Sequence, residues 1–394
     1  MKLLIFVLLV VTYSFPIFAQ ADKDTSNRIS KTKSEFSNSS AHWYGIRDEG
    51  NIINPLPDQA RYDESEITKI ADNMLLFQRS NGGWPKNYDM RAVLTSEQKA
   101  RLLETKDELE TTFDNATTYP QTQYLAKVYT ETQIDKYKEG CLKGLEFILD
   151  AQYENGGWPQ YYPLKDNYSR HITFNDGAYM GIMYTLRMII RQDSSFSFVD
   201  EVMRAQINRA YENGLECILN CQIVDQGRLT AWCQQHDATT LQPAWARAYE
   251  PPSICNAEST SIVQFLMDID EPDQRVIQAI QCAVKWFADS RIYNTRVETF
   301  EAEPVESQWK TLTIDRRVVH DPEAPPIWAR YYELGTERPL FSDRNSKLLY
   351  SMDEVSRERR VGYAWYTRAP QRVLDAYPAW LAGTGVDQNV LKND

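Results

Sequence analysis

Apolar residues recur at steps of three and four over most of the chain. Ile67, Ile70, Ala71, Met74 and Leu75 form one stripe, and Ile134, Tyr137, Cys141, Leu145, Ile148 and Leu149 form another. That spacing puts each set on one face of a helix. Similar runs occupy roughly 178–191, 200–220, 260–268 and 274–289. Between them lie segments rich in Pro, Gly and Trp, at 80–95, 153–177, 225–257 and 315–343. Strict alternation, the mark of a half-buried strand, is confined to short pieces near 296–314. The pattern predicts an all-α fold.

The helical stripes end in a repeated phrase. "LLFQRSNGGWP" closes the first and "LDAQYENGGWP" the second, so Gln78 matches Gln152 and Trp84 matches Trp158. A degraded third unit, "LNCQIVDQGRLTAW", carries Gln222, Gly227 and Trp232. Asn and Gly tolerate the positive φ that a helix end requires, and Pro stops the helix from continuing. The Trp either braces the turn or faces a groove as a sugar platform, and a repeat more often preserves packing. Helix, Gln, then Gly-x-Trp is a helical-hairpin repeat. Such hairpins close into an α/α barrel (toroid) whose rim loops converge on a cleft, the architecture expected here; a solenoid and an irregular bundle are the other layouts this pattern allows.

Composition narrows the class. The chain has 394 residues, of which 42% are hydrophobic, enough for a sizeable core. Its formal net charge of -12 argues against nucleic acid or an anionic membrane as partner. A polyanionic ligand would need a groove that is locally basic. Lys2, the apolar run from Leu3 to Val11 and the Ala19-Gln20-Ala21 site read as a secretory signal over residues 1–21. A polar tether follows at 22–44, and one catalytic domain spans 45–394. The protein is expected to be exported, to the periplasm or the extracellular space, and monomeric. The six Cys show no zinc spacing and are expected as buried free thiols or one incidental disulfide, and four His argue against a His-based metal site.

Four loop segments concentrate functional groups. "TTFDNATTYP" holds Asp114 and Asn115, and "SRHITFNDGAYMGIM" holds Asn175 and Asp176. Either Asp alone reads as a helix N-cap. Two Asp beside amide side chains, at helix starts on one rim, suit a hard cation such as Ca²⁺. "PAWARAYEPPS" holds Arg247, and "DRRVVHDPEAPPIWARYYEL" holds Arg316 and Arg330. Arg247 and Arg330 share the pattern W-A-R-x-Y-E, a guanidinium set among aromatics, which suits bidentate recognition of carboxylates. No P-loop, GxGxxG, HExxH or GxSxG stands in a supporting context.

These segments, in this order from about residue 65 to 370, resemble polysaccharide lyase family 10, the pectate lyases. The resemblance implies Ca²⁺-dependent cleavage of the acidic polysaccharide polygalacturonate by β-elimination. It implies that Asp114 and Asp176 hold Ca²⁺, that Arg330 is the Brønsted base, and that Arg247 and Arg316 bind uronate carboxylates. Lys86, which follows the first NGGWP, and Asn115 are carried over as further substrate contacts. An Arg has an unperturbed pKa of about 12.5–13.8, so a base role leads us to expect a lowered value and an alkaline optimum. The competing readings are a glycoside hydrolase on an α/α barrel, using paired carboxylates, and a noncatalytic galacturonan-binding protein. A triterpene-cyclase-like toroid fits poorly, since no D-x-D-D motif is present.

Overall fold

The computed structural model describes residues 51–54, 56–307, 311–386 and 388–391. The signal and tether expected at 1–44 lie outside the described residues. Helices dominate: α1 Ile67–Phe77, α2 Ser96–Glu104, α3 Tyr119–Thr132, α4 Asp135–Asp150, α5 Ala178–Ile190, α6 Glu201–Asn220, α7 Asn256–Met267, α8 Gln274–Asp289, α9 Arg357–Gly362 and α10 Ala369–Thr384. Helix α2 starts at a capping box between Thr95 and Gln98, and Asp200 and Asp273 cap α6 and α8 through their carboxylates.

The helices pack in two rows. One runs α1, α4, α6, α8 and the other α3, α5, α7, α10, with α3/α4, α5/α6 and α7/α8 as the antiparallel pairs between them. The repeat builds this array. Trp84 is buried and its Nε1 donates to the Met74 carbonyl at 2.8 Å, near the end of α1. Trp158 does the same to Ile148 O at 2.8 Å and Trp232 to Ile218 O at 2.7 Å. Each ring therefore satisfies a carbonyl in a helix's last turns. The repeat Gln ties the units together. Gln78 Nε2 donates to Gly82 O in its own loop and to Gly140 O on α4. Gln152 makes the equivalent pair with Gly156 O and Ala210 O, and Gln222 with Thr230 O and Ala279 O. Trp84 and Trp158 thus brace their turns, and the third, degraded unit keeps the same bonds.

The all-α expectation is not met. The chain is 43% helical and 15% strand, with several small sheets, so a toroid of helices alone does not describe it. The strands are β1 Ile172–Thr173, β2 Val224–Asp225, β3 Arg228–Leu229, β4 Gln235–His236, β5 Ile254–Cys255, β6 Thr295–Glu306, β7 Thr311–His320, β8 Trp328–Ala329, β9 Tyr331–Tyr332, β10 Pro339–Ser342, β11 Leu348–Leu349 and β12 Tyr366–Thr367. β6 and β7 form a long antiparallel hairpin, the stretch where alternation was visible. Most of the rest are two residues long and arise where loops meet across the fold. β1 pairs β4, β12 pairs β8, and one sheet runs β11-β10-β9-β5. Below this last sheet lies a second small core of Tyr249, Cys255, Tyr331, Leu340, Phe341, Leu349, Met352, Val355 and Trp365. Two-residue strands leave no periodic signature, which is why the loops read as irregular. All six Cys are free.

Candidate active site

The small sheets deliver the functional side chains. Antiparallel β5–β9 pairing sets Cys255 opposite Tyr331. Arg330 is therefore held at the start of α7: its carbonyl accepts from Asn256 N at 3.0 Å, and its N–H donates to Trp365 O at 2.7 Å. Its side chain is mostly buried, and Nη2 donates to Glu258 Oε1 at 2.7 Å. Nε donates to the Tyr331 hydroxyl at 3.2 Å, and the guanidinium lies 4.7 Å from the centre of the Tyr363 ring. Arg247 forms a two-pronged pair with the fully buried Glu250, through Nε and Nη2. Tyr363 links the two pairs, donating its hydroxyl to Glu250 at 2.8 Å and lying 2.5 Å from the Tyr331 hydroxyl. Arg316, on β7, reaches the Tyr363 carbonyl at 3.3 Å. Among the described residues its guanidinium pairs with no carboxylate.

The carboxylates come from two strained turns. Asn115, Ala116 and Thr118 all have φ between +51° and +72°, and Asp176 has φ +50°. Such left-handed non-Gly residues cost roughly 1–2 kcal/mol each and cluster at functional sites. The first turn is anchored by the repeat, since Trp84 N donates to Thr118 Oγ1 and Thr118 Oγ1 to Thr112 O. The second is anchored where Phe174 N and Asn175 N share Gln234 O. Neither Asp is an N-cap: α3 starts after Thr118 and α5 after Gly177, and neither helix has a side-chain cap. Asp114 is buried and ion-paired with Lys86 Nζ. Among the described residues its Oδ1 has no hydrogen-bond donor, and neither has the buried Oδ1 of Asn175, whose Nδ2 donates to Asp176 Oδ2.

Charge couples these groups into one site. Loss of hydration and then the Asp114 charge push the Asp176 carboxyl up to about 6, against the pull of Arg247 and Arg330. The Asp176 side chain is nonetheless exposed to solvent. Desolvation draws the Arg330 value down, but Glu258, Tyr331 and Tyr363 outweigh it and leave it well above the ordinary range. The lowered Arg330 value expected from the sequence is therefore not found, because the buried carboxylate of Glu258 faces it.

With this geometry in place, comparison with known proteins is direct. The model of the pectic acid lyase family matches residues 78–374. The chain belongs to that family. The chain is similar to solved structures, among them the following. One is a mutant of the family 10 polysaccharide lyase from Cellvibrio cellulosa in complex with trigalacturonic acid, 27% identical with a TM-score of 0.68, covering 89% of this chain and 98% of that one. The other is the family 10 polysaccharide lyase from the same organism, also 27% identical with TM-score 0.68, covering 91% and 97%. No curated protein matches. The lyase acts on polysaccharide.

Asp114, Asp176, Arg247 and Arg330 share one electrostatic neighbourhood, with Lys86 on Asp114 and Arg316 on the Tyr363 carbonyl. Asn115 sits beside Asp114, and its side chain makes no hydrogen bond among the described residues. Four cations gather here, and three of them, Lys86, Arg247 and Arg330, are paired with the carboxylates of Asp114, Glu250 and Glu258. Gln160, the counterpart of Lys86 in the second repeat, is buried, and its carbonyl accepts from Phe113 N. Sequence reasoning missed Glu250, Glu258, Tyr331 and Tyr363. Glu250 was legible as the last letter of W-A-R-x-Y-E. Glu258 and Tyr363 had no local signal.

Proposed function

We propose that this lyase cleaves polygalacturonate by calcium-dependent β-elimination, with Arg330 as the base. The observation that carries the reading is that Arg330, Arg247, Asp114 and Asp176 share one electrostatic neighbourhood. A uronate carries its C5 proton next to a carboxylate. Negative charge develops on that carboxylate as the proton departs, and cations aimed there lower the barrier. Arg247 and Arg316 bind the substrate carboxylates and Lys86 steers them in. Arg330, once it has released a proton to solvent, takes the C5 proton; the C5 electron pair forms the 4,5 double bond as the C4–O bond breaks, and the departing glycosidic oxygen takes a proton from water to become the new reducing end.

The residues fit a hard cation. Asp114 and Asp176 supply carboxylate oxygens, and the donorless Oδ1 atoms of Asp114 and Asn175 are acceptors awaiting a positive charge. Among the described residues no group of three or more His, Cys, Asp or Glu could hold a metal. Ca²⁺ takes six to eight oxygens, so water and the uronate itself would complete the set. When bound, the ion would neutralise the substrate carboxylate and acidify C5. A polymer substrate is met outside the cytoplasm, in keeping with the signal-like residues 1–21.

The test follows absorbance of unsaturated uronides from polygalacturonate, with and without chelator, for the natural protein and Arg330→Ala. We expect a calcium-dependent signal that grows with alkaline pH and is lost in the variant. New reducing ends without ultraviolet absorbance would make the protein a hydrolase, and binding without product a galacturonan-binding protein. An optimum near pH 5 with Arg330 dispensable would overturn the mechanism.

A further inference from the structure

The two W-A-R-x-Y-E segments put their tryptophans to opposite uses. Trp328, in the second, is fully buried on β8, and its Nε1 donates to Phe287 O at 2.8 Å. Trp245, in the first, is 38% exposed. Among the described residues it is the one exposed tryptophan, and its ring packs into neither hydrophobic core. Its indole N–H has no hydrogen-bond partner, and its ring no aromatic or cationic neighbour, among the described residues.

The backbone that carries this indole is fixed on both sides. Ala244 N donates to Gln235 O on β4 at 3.0 Å, and Ala246 N donates to Glu250 O at 3.1 Å. β4 pairs with β1 through Gln235 and Thr173, and Gln234 O holds the turn that carries Asp176. Arg247 follows two residues later and is clamped by Glu250. An extended chain spans about 3.3–3.6 Å per residue, so the Trp245 and Arg247 Cα atoms lie within about 7 Å of each other. A lone apolar side chain on a surface is ordinary. This one is rigidly mounted beside a guanidinium of the site, and it is left bare where the twin motif buries its counterpart.

We propose that Trp245 is the stacking platform of a further subsite for the polyuronate chain, holding the sugar residue next to the one whose carboxylate Arg247 binds. This rests on the polygalacturonate reading, and not on which arginine takes the proton. The chemistry of the two partners matches. O4 of a galacturonate ring is axial, so the C–H bonds at C3, C4 and C5 share one face. Those weakly positive hydrogens fit against the negative face of an indole. The carboxylate and hydroxyls stay at the edge of the sugar, where the free indole N–H can donate to one of them. A platform that touches a neighbouring sugar, and not the reacting atoms, holds ground state and transition state equally. It therefore lowers KM and leaves kcat alone.

The experiment compares the natural protein with Trp245→Ala and Trp245→Phe. It measures kcat and KM on polygalacturonate with saturating calcium, from the absorbance of unsaturated product, together with thermal midpoints. Trp245→Ala should raise KM about tenfold, with kcat within about threefold. Trp245→Phe keeps a flat ring and should return KM to within about threefold of the natural value. Midpoints should not move, because the indole packs into no core. N-bromosuccinimide, which oxidises accessible tryptophan, should modify Trp245 first, and polygalacturonate should protect it. A natural KM in Trp245→Ala, or oxidation as fast with the polymer as without it, would overturn the platform alone. A Trp245→Phe no better than Trp245→Ala would refute stacking as the cause. A lowered midpoint in Trp245→Ala would make the indole a structural brace and overturn the proposal. If the natural protein releases no unsaturated product, the polygalacturonate reading fails and the platform falls with it.

Discussion

Gly156, in the second NGGWP, tests the architectural role of the repeat. Its φ is +88°, and an added Cβ would lie 2.0 Å from the Asn213 backbone carbonyl on α6. Ordinary contact begins at 3.4 Å, so Ala at this position pushes the loop and α6 apart by more than an ångström. The same gap is spanned by Gln152 Nε2 to Ala210 O at 2.8 Å and by the Tyr179 hydroxyl of α5, which lies 3.0 Å from Gly156 O and 2.9 Å from Gly214 O. Left-handed strain costs roughly 1–2 kcal/mol. Two weakened hydrogen bonds add about 1 kcal/mol each. Gly156→Ala should therefore destabilise by about 3–4 kcal/mol. Gly227 is the control: φ is +80°, but nothing lies within 4 Å of its added Cβ. Gly227→Ala should cost only the strain, about 1–2 kcal/mol. Urea unfolding followed by Trp fluorescence gives both values from the midpoint shift at constant slope. Equal losses in the two variants would refute the claim that the glycine is there for close approach to the neighbouring helix.

His236 is fully buried, with Cys233 N donating to Nε2 and Nδ1 set on Leu241 O. Burial pulls its value down to about 4, so the unfolded chain binds a proton from about pH 6.5 that the folded chain refuses. Stability should fall by about 2 kcal/mol between pH 7 and 4.5, and His236→Asn should lose that part of the slope in paired denaturation curves. A proton on Asp176, whose value is pushed up to about 6, competes with calcium. Calcium affinity by titration calorimetry should be about tenfold weaker at pH 5 than at pH 8, and a flat profile would remove Asp176 from the ligand set. Lys86 faces Asp114, whereas Gln160 is buried in the second repeat. A charge-assisted contact is worth about 1.5–3 kcal/mol, so Lys86→Ala should lower kcat/KM by about 10- to 100-fold. Gln160→Ala should change it little, and equal effects would dissolve the distinction.

Local physics was legible from the residues. The stripes at 67–75 and 134–149 became α1 and α4, and the runs near 178–191, 200–220, 260–268 and 274–289 became α5 to α8. NGGWP turned out to be bracing, since one Trp and one Gln suffice to satisfy a helix end and reach the next helix. Asp114, Asp176, Arg247 and Arg330 stood out in polar loop segments, and the structure brings them into one electrostatic neighbourhood. The strands were not. β8, β9 and β12 are two residues each, and their pairing depends on partners far along the chain.

The two W-A-R-x-Y-E segments show where the division falls. The sequence by itself determined the helices, their braced ends and a guanidinium among aromatics twice over, because those depend on neighbours a few residues away. The Arg247–Glu250 pair, three residues apart, is local, yet the same motif would have paired Arg330 with Glu333, so the pattern alone did not settle it. Only the tertiary structure decided that Arg330 pairs with Glu258 rather than Glu333, and that Tyr363 joins the two arginine pairs. Those contacts follow from sheet register, which no local pattern encodes. The same register made the fold a mixture of helices and small sheets, because the loops that carry the site satisfy their backbone groups by pairing with one another.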